Sequence, residues 1–457
     1  MTSTHVEEKP AWRRAADQAF SMLGPLLALV AVTTFFAVAD RIFADGTFAT
    51  WLNLRTVTVQ TCVVAVAALG MTVIILSGGI DLSAGTALAL CATTLAWGLH
   101  EDLAHFVTHG DNFRRASARF EEAQKRVDET QRRLTTAKKN SSPDASGLET
   151  QLTAQEAAVG IAKSRLVALL EQKRTLAASL GGSEGATIAA ALEGKLQRLA
   201  DGKPVRSDPQ WAMGVPNSRW TAPLAVLLGI FTGVLAGLFN GLLVSSLRIV
   251  PFVVTLGSMT IFLGIGNQIS DNSTIRPQAI QTPSWLADLD GNTPNALWMG
   301  FPTGVWIAAV LAIVIALVLR YTVFGRHAFA LGSNEATARL CGVAVGRTKV
   351  AIYALGGMLF GIAGVYQFAR LSSGTPMSGV GLELEIIAAV VIGGGSLNGG
   401  RGSVLGTFAG AAITAVIRSG CTQLELGDPL QRMLLGVIII CAVVIDQFRQ
   451  RRLAAGA

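Results

Sequence analysis

The sequence predicts an all-α, polytopic membrane protein with about ten transmembrane helices and an extracytoplasmic antiparallel coiled-coil hairpin. Three observations support this fold class. Hydrophobic residues make up 51% of the 457 residues and charged residues only 15%, a composition typical of chains whose main solvent is lipid. Long apolar segments recur along the chain. One polar region between them keeps a 3-4 spacing of apolar residues, which predicts paired helices.

The apolar segments are the predicted membrane crossings. They are Phe20–Ala39, Val57–Leu76, Gly85–Leu99, Thr221–Leu247, Phe252–Ile269, Gly304–Tyr321, Val350–Ala369, Glu383–Ile392, Val404–Ile417 and Met433–Ile445. A full span needs about 20 residues, so the shorter segments are expected to be tilted, kinked or re-entrant. The first segment lacks a clear small-residue cleavage site and is predicted to be an uncleaved helix.

A polar, basic stretch from Phe324 to Lys349, the 324–349 loop, sets the predicted topology. Positive charges next to apolar segments favour the cytoplasmic side. Those of this loop and its flank are Arg320, Arg326, Arg339, Arg347 and Lys349. Further arginines lie at 13–14 and 449–452, so both termini and the loop are predicted to be cytoplasmic. Because membrane orientation explains most of the net charge of +7, no nucleic-acid partner is expected.

Three regions follow from this topology. Residues 1–99 hold the N-terminal tail and three crossings, residues 100–218 form the coiled-coil insertion, and residues 219–457 hold the remaining crossings. Within the insertion, residues 113–137 and 152–180 keep the 3-4 spacing, and Asn140–Gly147 breaks the helix between them. The two arms are therefore predicted to fold back on each other. The hairpin is either a rigid spacer or a protein-docking arm, with anionic lipid as a lesser partner.

Three glycine-rich elements interrupt the apolar segments at Leu76–Gly85, Gly237–Met259 and Gly381–Ala411. In the first, Asp81 and Ser83 can cap the next helix, although an acidic residue beside a membrane segment is more often functional. The third contains GGGSLNGGRGS, which lacks the Lys-Ser/Thr pair of a phosphate-binding loop. Nucleotide hydrolysis by this chain is not predicted.

Other catalytic and metal-binding patterns are missing from the sequence. The five cysteines show no metal or disulfide spacing, and no Ser/His/Asp order or paired acids in a plausible cleft are found. His100, His105 and His109 are at helical spacing, which leaves a weak metal site open, but solvated histidines are the favoured interpretation. Neither enzymatic activity nor a cofactor is expected.

Four motifs in this order and spacing resemble the permease subunits of bacterial ABC importers for ribose, xylose and related monosaccharides. They are GIDLSAG, NGLLV with PFVVTLGSM, FGRHAFALGSNEATARLCGV, and LEIIAAVVIGGGSLNGGRGSVLGT. The resemblance covers Thr56 to Asp446 except the insertion, which is far longer than the family's usual connection. It implies an inner-membrane homodimer of permease chains, a periplasmic substrate-binding protein and a separate ATPase that binds ATP.

The resemblance also assigns roles to residues of the 324–349 loop, which matches the family's ATPase-docking loop. The coupling residues are Gly325, Arg326, Gly332, Asn334, Glu335, Ala336, Arg339 and Gly342. Within it, NEATARLCG reads as a short amphipathic helix that Asn334 can cap and Gly342 can end. We expect Glu335 and Arg339 to contact the ATPase. An ordinary solvated loop is the alternative.

A second group of residues is expected on the translocation path or at a gate. These are Asp81, Ser83, Asn240, Thr255 and Glu383. For Asn240 and Thr255, hydrogen bonds between packed helices are an equal alternative. Two other functions stay open. One is an ion-coupled secondary transporter, with Asp81, Glu383 or Glu385 as the ion-binding group. The other is a membrane scaffold or signalling protein that acts through the hairpin.

Overall fold

The structure is a computed structural model, and the residues described are the following. They are 11–44, 46–101, 103, 113–139, 144–179, 182–201, 219–247, 249–277, 279–291, 297–298, 300–427, 429–434, 436–438, 440–441 and 444. The chain divides into two compact units. The membrane unit comprises Met1–Leu95, Leu227–Ile275 and Ser284–Ala457, and the insertion unit comprises Ala96–Val226 and Arg276–Pro283.

The described secondary structure is almost entirely helical. The first helices are α1 Ala11–Phe43, α2 Trp51–Leu76, α3 Ala84–His100, α4 Phe113–Lys139, α5 Ala145–Ser179, α6 Gly182–Ala200, α7 Thr221–Ser246, α8 Pro251–Ser270 and α9 Ser284–Ala287. They are followed by α10 Thr303–Tyr321, α11 Val323–Ser333, α12 Glu335–Leu340, α13 Val345–Leu371, α14 Leu382–Ile392 and α15 Val404–Gln423. Short 3-10 helices occupy Ala279–Gln281 and Pro376–Gly379, and β1 Leu297–Trp298 pairs antiparallel with β2 Phe301–Pro302.

Seven of the described helices are long and apolar enough to cross a membrane: part of α1, together with α2, α7, α8, α10, α13 and α15. The other three predicted crossings fall on shorter segments. They lie on α3 with 17 residues, on α14 with 11 residues, and on Met433–Ile445, part of which lies outside the described residues. The chain is therefore an all-helical, multi-pass membrane protein.

Helix α2 forms the centre of the membrane unit. It packs against α10, α11, α13, α14 and α15, and the run from Ala65 to Leu69 is fully buried. An all-round apolar helix such as this one is buried by its neighbours. By contrast, α8 and α10 keep large apolar side chains exposed, among them Phe252 and Val310. Such faces are suited to contact with lipid.

Small residues allow close helix contacts in this unit. A Cβ atom built on Gly237 of α7 would overlap the carbonyl oxygen of Tyr353 on α13, and one on Gly233 would overlap that of Gly357. Lipid tails are as apolar as leucine, so helices in a membrane gain little by burying apolar side chains and depend on close backbone contact. The glycines at the contact therefore set the short distance between α7 and α13.

The insertion unit has a small core of its own. Helix α4 packs on α5, and α5 packs on α6. The buried residues are Ala116, Phe120, Leu166, Leu169, Leu170, Leu192 and Leu199. At the far end of α4, Lys138 forms an ion pair with Glu149 of α5 at 2.6 Å.

Several predictions concern residues near the edges of this unit. Helix α6 is missing from the sequence analysis, which ended the second arm at Leu180. Residues 140–143 of the predicted breaker, Leu180, His105 and His109 lie outside the described residues, as do the arginines at 449–452. The three predicted domain boundaries stay a prediction.

Candidate functional site

The 324–349 loop folds as two short helices followed by the start of α13. Helix α11 begins after Thr322, whose Oγ1 accepts a hydrogen bond from the backbone N–H of Gly325 at 3.2 Å. Asn334 is extended, separates α11 from α12, and caps α12 by accepting from the N–H of Thr337 at 3.0 Å. Gly342 follows α12 with a φ of +85°, a left-handed conformation that favours glycine. The sequence analysis expected α12 but missed α11.

The charged side chains of α12 are engaged within the chain. Glu335 accepts a hydrogen bond from Lys349 at 2.7 Å and one from Arg339 at 3.2 Å. The hydrogen bond from Lys349 is the main cause that lowers the pKa of the Glu335 carboxyl, and Arg339 adds to it. Glu335 therefore fixes α12 to the first turns of α13. Arg339 keeps 56% of its side chain exposed and can still reach a partner.

The remaining coupling residues differ in exposure. Gly325 is buried, and a Cβ there would overlap the carbonyl oxygen of Leu319. Arg326 and Ala336 are exposed. Leu340, the last residue of α12, is 88% exposed, and the sequence analysis missed it. An apolar residue at the end of a short polar helix was the available signal.

A cavity of about 490 Å³ lies beside α12. Its lining includes Glu335, Arg339 and Lys349, together with residues at the end of α7 and around the start of α8: Val244, Ser245, Ile249, Val250 and Pro251. The volume is within the range of about 300–1,000 Å³ that is usual for binding sites. A segment of a partner protein could therefore contact both α12 and the residues around the start of α8.

The end of α11 rests directly on two glycine-rich loops of the membrane unit. A Cβ on Gly332 would overlap the carbonyl oxygen of Leu76 and would lie 2.5 Å from the N–H nitrogen of Gly400. Gly400 itself donates a hydrogen bond to the Leu76 carbonyl at 3.0 Å. Because this contact is between backbones, a displacement of α11 must also displace the loops after α2 and α14.

Four of the predicted path residues meet in one buried cluster. Asp81 accepts hydrogen bonds from the N–H and hydroxyl of Ser83, at 2.9 and 2.6 Å. The Asn240 amide on α7 donates to Asp81 at 3.2 Å and to Ser83 at 2.8 Å. The Thr255 hydroxyl on α8 lies 3.3 Å from the carbonyl oxygen of Ile80 and equally far from that of Phe252 in its own helix. Asp81 therefore ties the loop between α2 and α3 to α7 and, through Ile80, to α8.

The fifth predicted path residue, Glu383, lies at the start of α14. Both its carboxylate oxygens accept hydrogen bonds from the N–H of Gly381, at 3.0 Å. A Cβ on Gly85, the second residue of α3, would overlap a carboxylate oxygen of Glu383. Glu383 therefore adjoins the helix that follows the Asp81 loop. Ser83, rather than Asp81, stands immediately before α3.

Comparison with known proteins identifies similar chains. The family described as branched-chain amino acid transport system, permease component, matches residues 156–443. The match begins inside the insertion, so it contains the 324–349 loop and Asn240 but leaves out the Asp81 loop. The ribose import permease of Escherichia coli K12 is 35% identical over 239 residues, 52% of this chain and 73% of that protein.

Two further relatives are import permeases for other sugars. The L-arabinose transport system permease of Escherichia coli K12 is 36% identical over 46% of this chain and 62% of that protein. The fructose import permease of Rhizobium meliloti is 37% identical over 52% of this chain and 66% of that protein. No solved structure matches the chain.

Proposed function

Because the chain belongs to the branched-chain amino acid transport system permease family, we propose that it moves a monosaccharide or similar small polar solute inward by alternating access. It is the permease component of an ABC importer, and ATP is hydrolysed by a separate subunit. The observation that carries the proposal is the sequence match to permeases named for ribose, arabinose and fructose. The family model matches residues 156–443, more than half of the chain, and this range includes the 324–349 loop.

The partners and location follow from this role. The importer needs an ATPase subunit and a substrate-binding protein, and the chain is a multi-pass protein of the bacterial inner membrane. We further propose that two copies form a homodimer and that about ten crossings place both termini in the cytoplasm. In this topology the insertion emerges on the extracytoplasmic face, where the substrate-binding protein docks.

The geometry supports α12 as the contact to the ATPase. The helix presents Leu340 and Arg339, while Glu335 and Lys349 hold it on α13. An amphipathic helix with an exposed apolar residue can enter a groove of a partner. Movement of α12 and α11 would then reach the Asp81 loop through the backbone contact at Gly332. The coupling residues are thus proposed to transmit the movement of the ATPase, and the Asp81 cluster is proposed to move in response.

The experiment is uptake and ATP hydrolysis by the permease, reconstituted in liposomes with its ATPase and its binding protein. Leu340→Ser should lower substrate-stimulated hydrolysis at least about tenfold, because an interface anchor contributes 1.4 kcal/mol or more. Ile161→Ser is the matched control, since Ile161 is also exposed but lies on α5.

A second variant tests the charge on α12. Arg339→Glu should reduce the stimulation as well, whereas Glu335→Lys is less informative because it also breaks the contact to Lys349. Normal stimulation in both Leu340→Ser and Arg339→Glu would contradict α12 docking. Uptake by the permease alone, driven by an ion gradient, would contradict the importer.

A further inference from the structure

A basin opens at the end of the membrane unit opposite α12. Helix α13 starts next to α12 and ends at Leu371, and Arg370 near that end lines a cavity of about 510 Å³. The basin extends inward along α2, because Gln60 also lines it and lies about 14 Å along that helix from its first residue. Its size is that of a small-molecule site.

Positive charge dominates the described lining of the basin. Arg370, Arg418 and Arg432 face it, and the only carboxylate among the described lining residues is Glu385. Glu385 forms an ion pair with Arg418. Three guanidinium groups around one carboxylate leave two positive charges without a counter-charge in the described lining.

One acid outside the described lining, Asp290, also acts on these charges. Asp290 interacts electrostatically with Arg370, but it does not belong to the described lining. Burial raises the pKa of Asp290 to about 6, although Arg370 acts to lower it. A carboxyl with a pKa of about 6 is mostly ionised at pH 7, so Asp290 offsets part of the charge of Arg370 from outside the described lining. With Glu385 and Asp290 both counted, the three arginines still leave an excess of positive charge. Arg370 also experiences repulsion from Arg418.

Hydrogen-bonding groups lie beside these charges. The Oε1 atom of Gln60 is buried and has no hydrogen-bond partner among the described residues. The hydroxyl of Thr414 donates to the carbonyl of Ala411, so its oxygen is available as an acceptor. Guanidinium groups bind carboxylates and phosphates in a bidentate geometry, while amide and hydroxyl oxygens accept from sugar hydroxyls.

From this arrangement we propose that the basin binds a hydroxylated solute that carries a carboxylate or a phosphate, with Arg370 and Arg432 holding the anionic group. The transported substrate would then be an acidic sugar, in contrast to the sugars for which the relatives are named. The identity of the transported substrate rests on the proposed transport function, whereas the binding of an anionic solute to the basin does not. Arg370 is half-buried and Arg432 is exposed, and the anionic group would give both guanidinium groups a charged hydrogen-bond partner.

Binding to the purified permease in nanodiscs tests the proposal. D-galacturonate and D-galactose differ only by a carboxylate in place of a hydroxymethyl group, and D-galactose 6-phosphate tests the phosphate. We expect the anionic sugars to bind at least about tenfold more tightly than D-galactose at constant ionic strength. Arg370→Gln should remove most of this difference. Arg370→Lys, which keeps the charge but loses the planar fork, should remove part of it.

Controls separate binding from misfolding. Arg132→Gln removes an exposed arginine of α4 and should leave the affinity unchanged. Arg432→Gln changes an exposed side chain, so it remains informative if the Arg370 variants fail to fold. Affinities for D-galacturonate and D-galactose 6-phosphate that both equal that for D-galactose would overturn the proposal, as would an unchanged affinity in both Arg370→Gln and Arg432→Gln.

Two other results distinguish solute binding in the basin from docking of the substrate-binding protein and from the transport function. If Arg370→Gln weakens only the docking of the substrate-binding protein, and no sugar binds, the arginines serve that protein's carboxylates and the solute site is refuted. If anionic sugars bind the nanodisc but the assembled importer transports no sugar, the transport function fails while the binding site stands.

Discussion

The membrane unit and the insertion unit pack their helices in opposite ways. In the membrane unit, Gly237 lies directly against the backbone of α13, so that even one added carbon would clash. In the insertion unit, nothing lies within 4 Å of a Cβ built on Gly160 or Gly194, and large side chains such as Phe120 and Leu166 form the core. Water drives apolar side chains together, whereas lipid does not. Glycines between packed helices of the membrane unit are therefore expected to be essential, whereas Gly160 and Gly194 of the insertion unit are expected to be dispensable.

The largest effect is expected at the close backbone contact between α7 and α13. Gly237→Leu should prevent α7 from reaching α13, because the new side chain meets the Tyr353 carbonyl rather than a flexible side chain. The cost should exceed the usual 1–3 kcal/mol, estimated roughly, of an overpacked core. Size-exclusion chromatography and thermal unfolding in detergent should show loss of folded protein.

A matched glycine makes this test specific. Gly257 on α8 is exposed and has nothing within 4 Å of its Cβ position, so Gly257→Leu should leave the unfolding temperature nearly unchanged. If both variants behave alike, close backbone packing is not what holds the membrane unit together.

The next effect concerns the side-chain core of the insertion. Leu166 is fully buried, and Leu166→Ala should destabilise the insertion unit by about 3 kcal/mol through lost burial and a cavity. Hydrogen exchange of α4 to α6 in the full-length protein should accelerate. Ile161→Ala, at an exposed position of the same helix, should change stability by less than about 0.5 kcal/mol. Equal effects of the two variants would contradict a packed core.

A smaller effect on stability but a clear effect on transport is expected at Gly332. Gly332→Ala should push α11 away from Leu76 and Gly400, and uptake by the reconstituted importer should fall about tenfold. The unfolding temperature should fall by less than in Gly237→Leu, because alanine adds a single methyl group in the last turn of α11. Ser333→Ala, at an exposed neighbour, is the control. Full uptake by Gly332→Ala would show that the close contact of Gly332 with Leu76 and Gly400 is not needed for coupling.

Short sequence signals at helix ends predicted several of the helices. Asn334 and Gly342 stand at the spacing of a cap and a helix end, so α12 could be predicted, and Pro251 marked the first residue of α8. Helix α11 was missed because the whole stretch from Phe324 to Lys349 was interpreted as a polar loop, with only NEATARLCG assigned to a helix. Helix α6 was also missed, although Leu192 and Leu199 continue the 3-4 pattern after Gly182.

Contacts between distant parts of the chain could not be predicted. Asp81 and Asn240 are 159 residues apart, and only the packing of α7 on the loop after α2 brings them together. Glu385 and Arg418 likewise meet across α14 and α15, and no spacing in the sequence indicates it. The sequence motifs therefore indicated the polar residues of the Asp81 cluster individually. They did not predict the basin that Arg370 lines.

The smallest effect has the opposite sign. Gly160 lies inside α5, is exposed and has open space around it, so glycine there only lowers helix propensity. Gly160→Ala should stabilise the insertion unit by about 0.5–1 kcal/mol, visible as slower hydrogen exchange in α5. Gly194→Ala in α6 should act similarly. A destabilised insertion in both variants would mean that a partner or a second copy packs against these positions, and the insertion's glycines would then resemble those of the membrane unit.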